Sequence, residues 1–386
     1  MSKETKQVND LEKLDTVLTD LQKKFGKGSI ALFGKNTIKV ERVPLSSMNL
    51  TRIFGGGCPR GRIIEVYGAE SSGKTSLAEL LASDYQHHFF EDKNRYGRVA
   101  YIDVEHAFDP EYARIIGVDI ENLIFSQPDS AEQALDMVEA LVNSDLCDLI
   151  VVDSVAALTP MAEIDGGMGD QQMALRARLM SKACGKLSIA SNPTSATILF
   201  INQTRQKIGA MVYGNPETTT GGNALRFYAS VRLTTRRKEY VGAADAPEGI
   251  VTVVKAIKNK VATPFRSCEV KLLFGKGYQV EEEFISAFVE RELVQKGGSW
   301  YTIPYTDKDG KQLSERVQGL ERVIEFFKTN PEVFEAYKEK IHALIEKETS
   351  VTTLDQDKEE DKEAIDKQQE KLEKEALEGE EHVIHY

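Results

Sequence analysis

The stretch Gly68-Ala69-Glu70-Ser71-Ser72-Gly73-Lys74-Thr75 decides the fold of this chain. It follows an apolar run, residues 63–67, that predicts a buried strand, and it precedes a run from Ser76 onward that is typical of a helix. Strand, glycine-rich loop and helix N-terminus together place backbone N–H groups and the positive end of a helix around a polyphosphate. The complete spacing predicts a nucleotide-binding loop rather than a chance glycine–lysine turn.

The residue types in such a loop have separate chemical tasks. Lys74 would reach the β- and γ-phosphates as a point charge, and the Thr75 hydroxyl would ligate Mg²⁺. The residues that we expect to line the nucleotide here are Gly68, Glu70, Ser71, Ser72, Gly73, Lys74, Thr75 and Ser76.

Composition limits the class of protein. The 386 residues suffice for one large α/β domain and a smaller unit, and no apolar run approaches the ~20 residues of a membrane span. The N-terminus lacks the apolar region of a signal peptide. Four scattered cysteines without a CxxC pair favour buried free thiols in a reducing compartment. We therefore expect a cytoplasmic protein that does not enter a membrane.

The net charge of −12 is concentrated at one end of the chain. Residues 346–386 contain 15 acidic and 6 basic side chains, so the rest of the chain is nearly neutral. A nearly neutral body can carry a basic groove, and the overall acidity therefore does not exclude DNA as a ligand. The tail predicts a solvated single helix or disorder, and we favour partial helix.

Strand-like runs alternate with helical ones between about residues 60 and 275. Apolar runs at 98–103, 149–153 and 197–202 are typical of strands buried on both faces, and helical stretches separate them. This alternation predicts an α/β domain with a mainly parallel twisted sheet.

Three later runs, beginning at Val231, Ile250 and Cys268, follow in quicker succession than those of the core. They predict antiparallel strands added at one edge of the sheet.

Two segments flank the core. Residues 8–25 carry apolar side chains at spacings of three and four, which predicts an amphipathic helix that either caps its own domain or docks on a neighbouring subunit. Residues 280–345 predict a small α+β domain. The expected units are an N-terminal arm (1–35), the ATPase-type core (36–278), a small C-terminal domain (279–345) and an acidic tail (346–386).

Side chains suited to phosphoryl transfer follow the predicted strands. Asp153 ends one apolar run, as expected of a carboxylate that holds Mg²⁺. Glu105 lies just past the strand ending at Asp103, where it could polarise water. Asn202 and Gln203 end the next strand, where an amide could contact the γ-phosphate. Together with the phosphate loop, these residues predict nucleotide hydrolysis.

Two glycine-rich segments each follow a strand. Residues 163–170 lead into a basic helix, and residues 205–223 combine cations with Ile208, Met211 and Tyr213 in a predicted structureless loop. Cations track a phosphate backbone, and apolar or aromatic groups insert beside unstacked bases. The segments therefore predict nucleic-acid contact, with an ordinary flexible loop as the alternative.

These motifs closely resemble the bacterial RecA recombinase family. The resemblance extends from about residue 10 to 340, and its most specific pieces are the phosphate loop, Tyr-Ile-Asp-Val-Glu-His-Ala-Phe-Asp-Pro at 101–110, Val-Val-Asp-Ser-Val-Ala-Ala-Leu-Thr-Pro at 151–160 and the sequence at 214–230. It implies a DNA-dependent ATPase that forms helical filaments on single-stranded DNA and pairs it with homologous double-stranded DNA. It also implies repair of DNA damage and self-cleavage of LexA-type repressors.

The resemblance implies roles for individual residues. Glu105 matches the catalytic glutamate, and Gln203 matches a residue that links the γ-phosphate of ATP to the DNA loop. Lys258 and Lys260 match lysines that reach across the subunit interface to the neighbour's ATP, and Phe227 matches an aromatic that couples neighbouring subunits. The N-terminal arm would then serve oligomerisation.

Further positions are implied at the two ligands. Asp109 and Tyr112 match positions at the adenine. The residues implied to contact DNA are Met173, Arg178, Ser181, Arg205, Lys207, Ile208, Tyr213, Gly221 and Gly222.

The chain also departs from the family pattern. Gly185 stands where the family usually has a DNA-contacting arginine, and residues 314–317 replace a pattern implied in duplex-DNA contact. The acidic tail implies autoinhibition by competition with DNA phosphates. Two alternatives remain open: a hexameric helicase or another motor of this fold, and a signalling filament that exchanges strands poorly.

Overall fold

The computed structural model describes residues 3–25, 30, 40–167, 175–206, 217–243, 245–306, 310–341 and 343–344. Of the residues singled out above, Met173, Lys207, Ile208, Met211, Tyr213, the acidic tail and the side chain of Arg205 lie outside the described part of the chain.

The helices are numbered in chain order. They are α1 (Lys3–Phe25), α2 (Met48–Phe54), α3 (Lys74–His87), α4 (Pro110–Ile116), α5 (Ala131–Asn143), α6 (Met161–Ile164), α7 (Leu175–Thr194), α8 (Ala224–Tyr228), α9 (Val280–Glu290) and α10 (Leu320–Thr329). A 3₁₀ turn spans Ile120–Asn122, and residues 331–341 are also helical.

The strands follow the same convention. They are β1 (Arg42–Val43), β2 (Cys58–Pro59), β3 (Ile63–Gly68), β4 (Phe89–Phe90), β5 (Arg95–Tyr96), β6 (Val99–Asp103), β7 (Ile124–Ser126), β8 (Leu149–Asp153), β9 (Thr197–Gln206), β10 (Glu217–Thr219), β11 (Val231–Ala243), β12 (Ala246–Asn259), β13 (Ser267–Leu273), β14 (Gly277–Tyr278), β15 (Gln295–Gly297), β16 (Trp300–Thr306) and β17 (Gln312–Gln318).

One large mixed sheet forms the centre of the molecule. Its strand order is β14-β13-β12-β11-β3-β9-β8-β6-β7, with β10 added to β9. The pairs from β11 to β7 are parallel, and those from β11 to β14 are antiparallel. The predicted α/β class with a mainly parallel sheet is confirmed.

One predicted strand direction is wrong. The run from Val231 was expected to be antiparallel, but β11 pairs in parallel with β3 and only its other edge, against β12, is antiparallel. The chain reverses direction after β11, and the short spacing between later runs reflects hairpins rather than the orientation of the first strand.

The strands of the parallel part are buried on both faces. Every residue of β6 and β8 is buried, as the continuous apolar runs predicted. Alternate side chains point to opposite faces: Tyr101 and Val151 pack with α2, α3 and α4, whereas Ile102 and Val152 pack with α5, α7 and α8. Two apolar layers therefore hold the carboxyl ends of the parallel strands in fixed relation.

The C-terminal part has a separate apolar cluster. Strands β15 to β17 form a small antiparallel sheet beside α9 and α10, and Phe288 and Phe327 lie at the centre of their packing. A polar contact joins this unit to the core, because the Ser47 hydroxyl donates a 2.7 Å hydrogen bond to Glu283. The predicted α+β character is present, and the boundary at 278/279 stays a prediction.

Helix α1 leaves apolar side chains uncovered. The predicted amphipathic helix is present and extends from Lys3 to Phe25. Leu14, Val17 and Phe25 are exposed, with Val17 at 54%. A helix with an apolar stripe gains little stability until that stripe is buried, so this arm suits docking on another surface.

Candidate nucleotide site and nucleic-acid interface

The phosphate loop closes tightly over the end of β3. A Cβ at Gly68 would lie 2.3 Å from the carbonyl oxygen of Thr235, so only glycine fits beside β11. Ser71 and Gly73 adopt positive φ angles of 55° and 82°. The Ser72 hydroxyl contacts Ala69 O at 2.7 Å and fixes the turn. A glycine-containing turn of this kind before the N-terminus of α3 is suited to bind an anion through backbone N–H groups.

Lys74 is the first residue of α3 and is buried. Its ammonium donates a 2.7 Å hydrogen bond to the carbonyl oxygen of Ala69, which folds the side chain back over the loop. Burial lowers the pKa of Lys74, and the carboxylates of Asp153, Glu105 and Glu70 oppose that shift. A polyphosphate would supply the missing negative charge at this position.

Thr75 and Asp153 meet across the site. The Thr75 hydroxyl donates to Asp153 Oδ2 at 2.9 Å, and the buried Tyr101 hydroxyl donates to the same oxygen at 2.8 Å. Burial raises the pKa of Asp153 to about 6, and the nearby Glu105 and Asp103 carboxylates add to this rise. A buried carboxylate with like charges around it favours a bound cation.

The donors at this point fit Mg²⁺ bound together with a nucleotide. Among the described residues, no group of three or more His, Cys, Asp or Glu side chains is arranged to hold a metal by itself. Thr75 and Asp153 offer hard oxygen donors, and Mg²⁺ commonly takes its remaining ligands from phosphate oxygens and water.

Glu105 is an exposed carboxylate at the site. Its backbone N–H donates to the carbonyl oxygen of Asp153 at 3.2 Å, which ties the turn after β6 to the end of β8. Its Oε1 accepts hydrogen bonds from Ser154 Oγ and, at 3.1 Å, from Gln203 Nε2. The strand ends that sequence patterns singled out therefore meet at one carboxylate.

Gln203 also borders the phosphate loop, because it is the register partner of Gly68 in the β3–β9 pair. Asn202 is different: it is fully buried and its amide contacts Glu65 and the carbonyl oxygen of Thr220. Of the two amides predicted here, only that of Gln203 faces the site.

Asp109 and Tyr112 lie at the start of α4. Asp109 caps this helix by accepting from the backbone N–H groups of Glu111 and Tyr112 at 2.9 and 3.2 Å. The Tyr112 hydroxyl lies 3.3 Å from Ser76 Oγ, which places the ring beside the first turn of α3. Tyr112 thus lies close to the helix that follows the phosphate loop, and the role of both residues at the adenine stays a prediction.

Lys258 and Lys260 lie apart from that loop, at the end of β12. Lys258 Nζ donates to the carbonyl oxygens of Arg226 and Phe227 at 2.7 and 3.1 Å, and Lys260 Nζ donates to that of Phe227 at 3.2 Å. Burial and the neighbouring Lys260 ammonium lower the pKa of Lys258 to about 8. Phe227 is 67% exposed, so both lysines and this ring share one outer surface.

The described candidate DNA residues converge on α7. Arg178 and Ser181 are exposed and lie three residues apart on one face of this helix. Gly221 and Gly222 have φ angles of 85° and 76°, and an added Cβ would lie 2.9 Å from Val155 and 3.0 Å from Ala177, respectively. The end of the second glycine-rich segment therefore packs against the helix that follows the first.

The second segment is less irregular than predicted. Strand β9 continues to Gln206, and β10 pairs with it in antiparallel register from Glu217 to Thr219. The prediction of a structureless loop over 205–223 is therefore wrong at both ends, because polar strand residues there lack the apolar alternation that signals pairing. Residues 207–216 lie outside the described part.

Sequence reasoning missed two supporting side chains. Tyr101 and Ser154 hold Asp153 and Glu105, respectively. Ser154 directly follows Asp153, so its place at the end of the same predicted strand could have marked it as a residue of the site. Tyr101 carried none, because an aromatic residue within an apolar strand predicts only burial.

The fold and the site define a P-loop ATPase of the α/β class. The chain matches the family profile RecA N-terminal domain over residues 12–279. Protein RecA of Bacillus subtilis (strain 168) is 48% identical over 331 residues, which cover 85% of this chain and 90% of that protein. Protein RecA of Staphylococcus aureus (strain Newman) is 47% identical over 336 residues, covering 86% and 92%.

The chain belongs to the RecA family. It is a DNA-dependent ATPase and DNA recombinase that binds ATP and DNA and forms filaments, and the alternative of another motor or a purely signalling filament is not favoured. No helix in the described residues combines the length and apolarity needed to cross a membrane.

Proposed function

We propose that the site described above binds ATP with Mg²⁺ and hydrolyses it with Glu105 as the group that activates water. The observation that carries this assignment is the convergence of Glu105, Ser154 and Gln203 beside the phosphate loop, with a 3.1 Å hydrogen bond between Gln203 and Glu105. A carboxylate there is fixed by neighbours yet open to solvent, as a general base requires.

Binding would use the loop and the helix end. The backbone from Gly68 to Gly73 would surround the phosphates, and Lys74 would exchange its contact with Ala69 for a phosphate oxygen. Thr75 and Asp153 would hold Mg²⁺, which would neutralise charge on the β- and γ-phosphates. Tyr112 and Asp109 would border the adenine, since Tyr112 lies against Ser76.

Hydrolysis would use the three strand ends. Glu105 would accept a proton from a water molecule, while Ser154 keeps the carboxylate in place through its hydroxyl. The Gln203 amide would move from Glu105 to a γ-phosphate oxygen and so register the presence of ATP. Lys258 and Lys260 would stabilise charge on a neighbouring subunit's nucleotide, because they lie on an outer surface beside the exposed Phe227.

Assembly would be head to tail. The uncovered apolar side chains of α1 suit docking on the next subunit, and a repeated heterologous contact that does not close gives a helical filament. Under this reading residues 1–35 are the oligomerisation arm, 36–278 the ATPase core, 279–345 the small C-terminal domain and 346–386 the tail.

DNA would bind where the two glycine-rich segments meet α7. Arg178 and Ser181 would contact phosphates, and Gly221 and Gly222 allow close backbone approach. Residues outside the described part complete the proposed set: Met173, Arg205 through its side chain, Lys207, Ile208 and Tyr213. Base pairing between the strands would then supply sequence discrimination, as in guide-RNA systems.

The setting that we propose is cytoplasmic DNA repair. The partners would be single-stranded and double-stranded DNA, further copies of the chain and LexA-type repressors whose self-cleavage the filament activates.

The decisive experiment combines Glu105→Gln with a strand-exchange assay. The variant should lose ATP turnover by about 100-fold or more while retaining ATP and single-stranded DNA binding, because Gln keeps the shape but cannot accept the proton. Glu111→Gln is the matched control, since its carboxylate is exposed on α4 and pairs with Arg114 on the same helix. Normal hydrolysis by Glu105→Gln would exclude the assigned role.

Strand exchange between circular single-stranded DNA and a linear duplex tests the wider function. Joint molecules should form with a homologous duplex and not with a heterologous one. ATP hydrolysis on single-stranded DNA without joint molecules would instead favour the signalling filament.

A further inference from the structure

Three buried polar side chains connect the nucleotide site with the end of the second glycine-rich segment. Glu65, Asn202 and Arg232 lie on the adjacent strands β3, β9 and β11, and they are 0%, 0% and 8% exposed. Glu65 and Arg232 are register partners in the parallel β3–β11 pair. Polar groups at this depth must satisfy one another, because no water replaces a lost partner.

The hydrogen bonds among them fix the orientation of the Asn202 amide. Its Nδ2 donates to Glu65 Oε1 at 2.9 Å and to the carbonyl oxygen of Thr220 at 3.0 Å. Its Oδ1 accepts from the backbone N–H of Gln203 at 2.9 Å. A carboxylate and a carbonyl only accept and a backbone N–H only donates, so the amide has a single satisfying orientation.

Glu65 is itself anchored from the other side. Arg232 donates through Nε to Glu65 Oε2, and its guanidinium lies 4.7 Å from the ring centroid of Tyr67. A guanidinium and an amide hold this buried carboxylate in place. Loss of either contact is costly, because it would leave a buried polar group without a partner.

We propose that Asn202 is a positioning residue that couples Gln203 to Thr220, with the Glu65–Arg232 pair as its anchor. The proposal rests on the proposed function, in which Gln203 responds to ATP and the segment around Gly221 contacts DNA. Through Asn202, a displacement of the Gln203 backbone shifts the carbonyl of Thr220. The two glycines that follow transmit this shift to α7, against which they pack at Met180 and Ala177.

The test is the increase in single-stranded DNA affinity that a non-hydrolysable ATP analogue produces. Asn202→Asp keeps the acceptor for Gln203 but removes both donations from Nδ2. It should reduce the analogue-dependent gain in DNA affinity by about tenfold, while affinity for the analogue without DNA stays within about threefold of the unsubstituted protein. Fluorescence anisotropy of labelled single-stranded DNA, with and without analogue, gives the ratio directly.

Tyr85→Phe is the matched control. It removes a buried 3.0 Å hydrogen bond to Thr197, at the opposite end of β9. If the role of Asn202 is merely structural, both variants should lower thermal stability, and the analogue-dependent gain in DNA affinity should be the same in both. If Asn202 couples the two segments, the analogue-dependent gain in DNA affinity should fall in Asn202→Asp and not in Tyr85→Phe. Glu65→Gln, assayed in the same way, replaces Asn202→Asp if that variant does not fold.

Hydrogen exchange supplies a second readout. The analogue alone should slow backbone exchange in the peptide covering 217–228 in the unsubstituted protein and in Tyr85→Phe, but not in Asn202→Asp. An unchanged ratio and unchanged protection in Asn202→Asp would overturn the relay alone. Absence of any nucleotide effect in the unsubstituted protein would overturn the proposed function and the relay together.

Discussion

The side-chain amide of Gln203 donates a 3.1 Å hydrogen bond to Glu105, although 98 positions separate the two residues in the chain. Gln203 lies on β9 and Glu105 lies just after β6. Strand β8 lies between these two strands, and the residue after it, Ser154, donates to the same carboxylate oxygen. A carboxylate held by an amide and a hydroxyl is oriented before any substrate binds. This preorganisation is the basis of the first prediction.

Ser154→Ala should lower kcat of ATP hydrolysis by about tenfold and leave nucleotide affinity nearly unchanged. The substitution removes one of the two side-chain donors that orient Glu105, and a small displacement of a general base slows proton transfer. Steady-state kinetics on single-stranded DNA would measure the effect. Ser144→Ala, which removes a surface contact to Leu141, is the control. Equal kcat in both variants would contradict the assigned role of Ser154.

Binding of nucleotide with Mg²⁺ should weaken as the pH falls through about 6. The pKa of Asp153 is raised to about 6 by burial, so its carboxylate is ionised above that pH and protonated below it. Tyr101 donates to this carboxylate and holds its pKa down, so Tyr101→Phe should move the midpoint to higher pH. Titration of a fluorescent nucleotide with Mg²⁺ at several pH values checks both statements. If Tyr101→Phe leaves the pH midpoint of nucleotide binding unchanged, the hydrogen bond from Tyr101 to Asp153 does not set that midpoint.

Glu79→Gln should stabilise the fold at neutral and alkaline pH. Glu79 is buried one turn after Thr75, its Oε2 has no hydrogen-bond partner, and burial with Asp153 and Asp109 nearby raises its pKa from 4.5 to about 8. Since the pKa is higher in the folded state, ionisation weakens the fold as pH rises from 4.5 to about 8.

The gain in free energy of unfolding for Glu79→Gln should therefore be near zero below that window and reach about 1–3 kcal/mol above it. Urea denaturation at several pH values is the measurement. A gain that is the same at acidic and alkaline pH would show that the charge of Glu79 is not its cause.

Asp148→Ala should destabilise the protein by about 3–5 kcal/mol without changing nucleotide affinity. Asp148 is fully buried and accepts from Arg95 at 2.6 Å and from the backbone N–H of Arg98 at 2.8 Å, at the end of the sheet remote from the site. Asp20→Ala is the control, because its exposed carboxylate pairs with the equally exposed Lys23 at the surface of α1. Comparable losses of stability in the two variants would show that the burial of the Asp148 carboxylate is not the cause of the effect.

Val17→Asp should abolish filament formation and leave the unfolding temperature nearly unchanged. Val17 is exposed on α1, so a charge there disturbs an intermolecular contact rather than the core. Thr19→Asp adds the same charge to the same helix two residues away, on a different face. Sedimentation with ATP and single-stranded DNA compares the two. Filaments of Val17→Asp equal to those of Thr19→Asp would exclude this face of α1 from the interface.

Much of the fold was predictable because its signals are local. Continuous apolar runs predicted β6 and β8, and a glycine–lysine spacing predicted the turn between β3 and α3. The direction of β11 was not predictable in the same way. A strand's periodicity records which faces are buried, but it does not record which neighbour the strand pairs with.

The sequence by itself determined the residue types of the site and the strand ends that carry them. Only the tertiary structure decided which of these side chains meet: that Gln203 faces Glu105 while Asn202 turns inward to Glu65, and that Tyr101 supports Asp153. The physical reason is that such contacts depend on strand order and on packing between distant segments. Residue spacing encodes the helix and strand periods, whereas sheet order follows from the burial of all the apolar faces together.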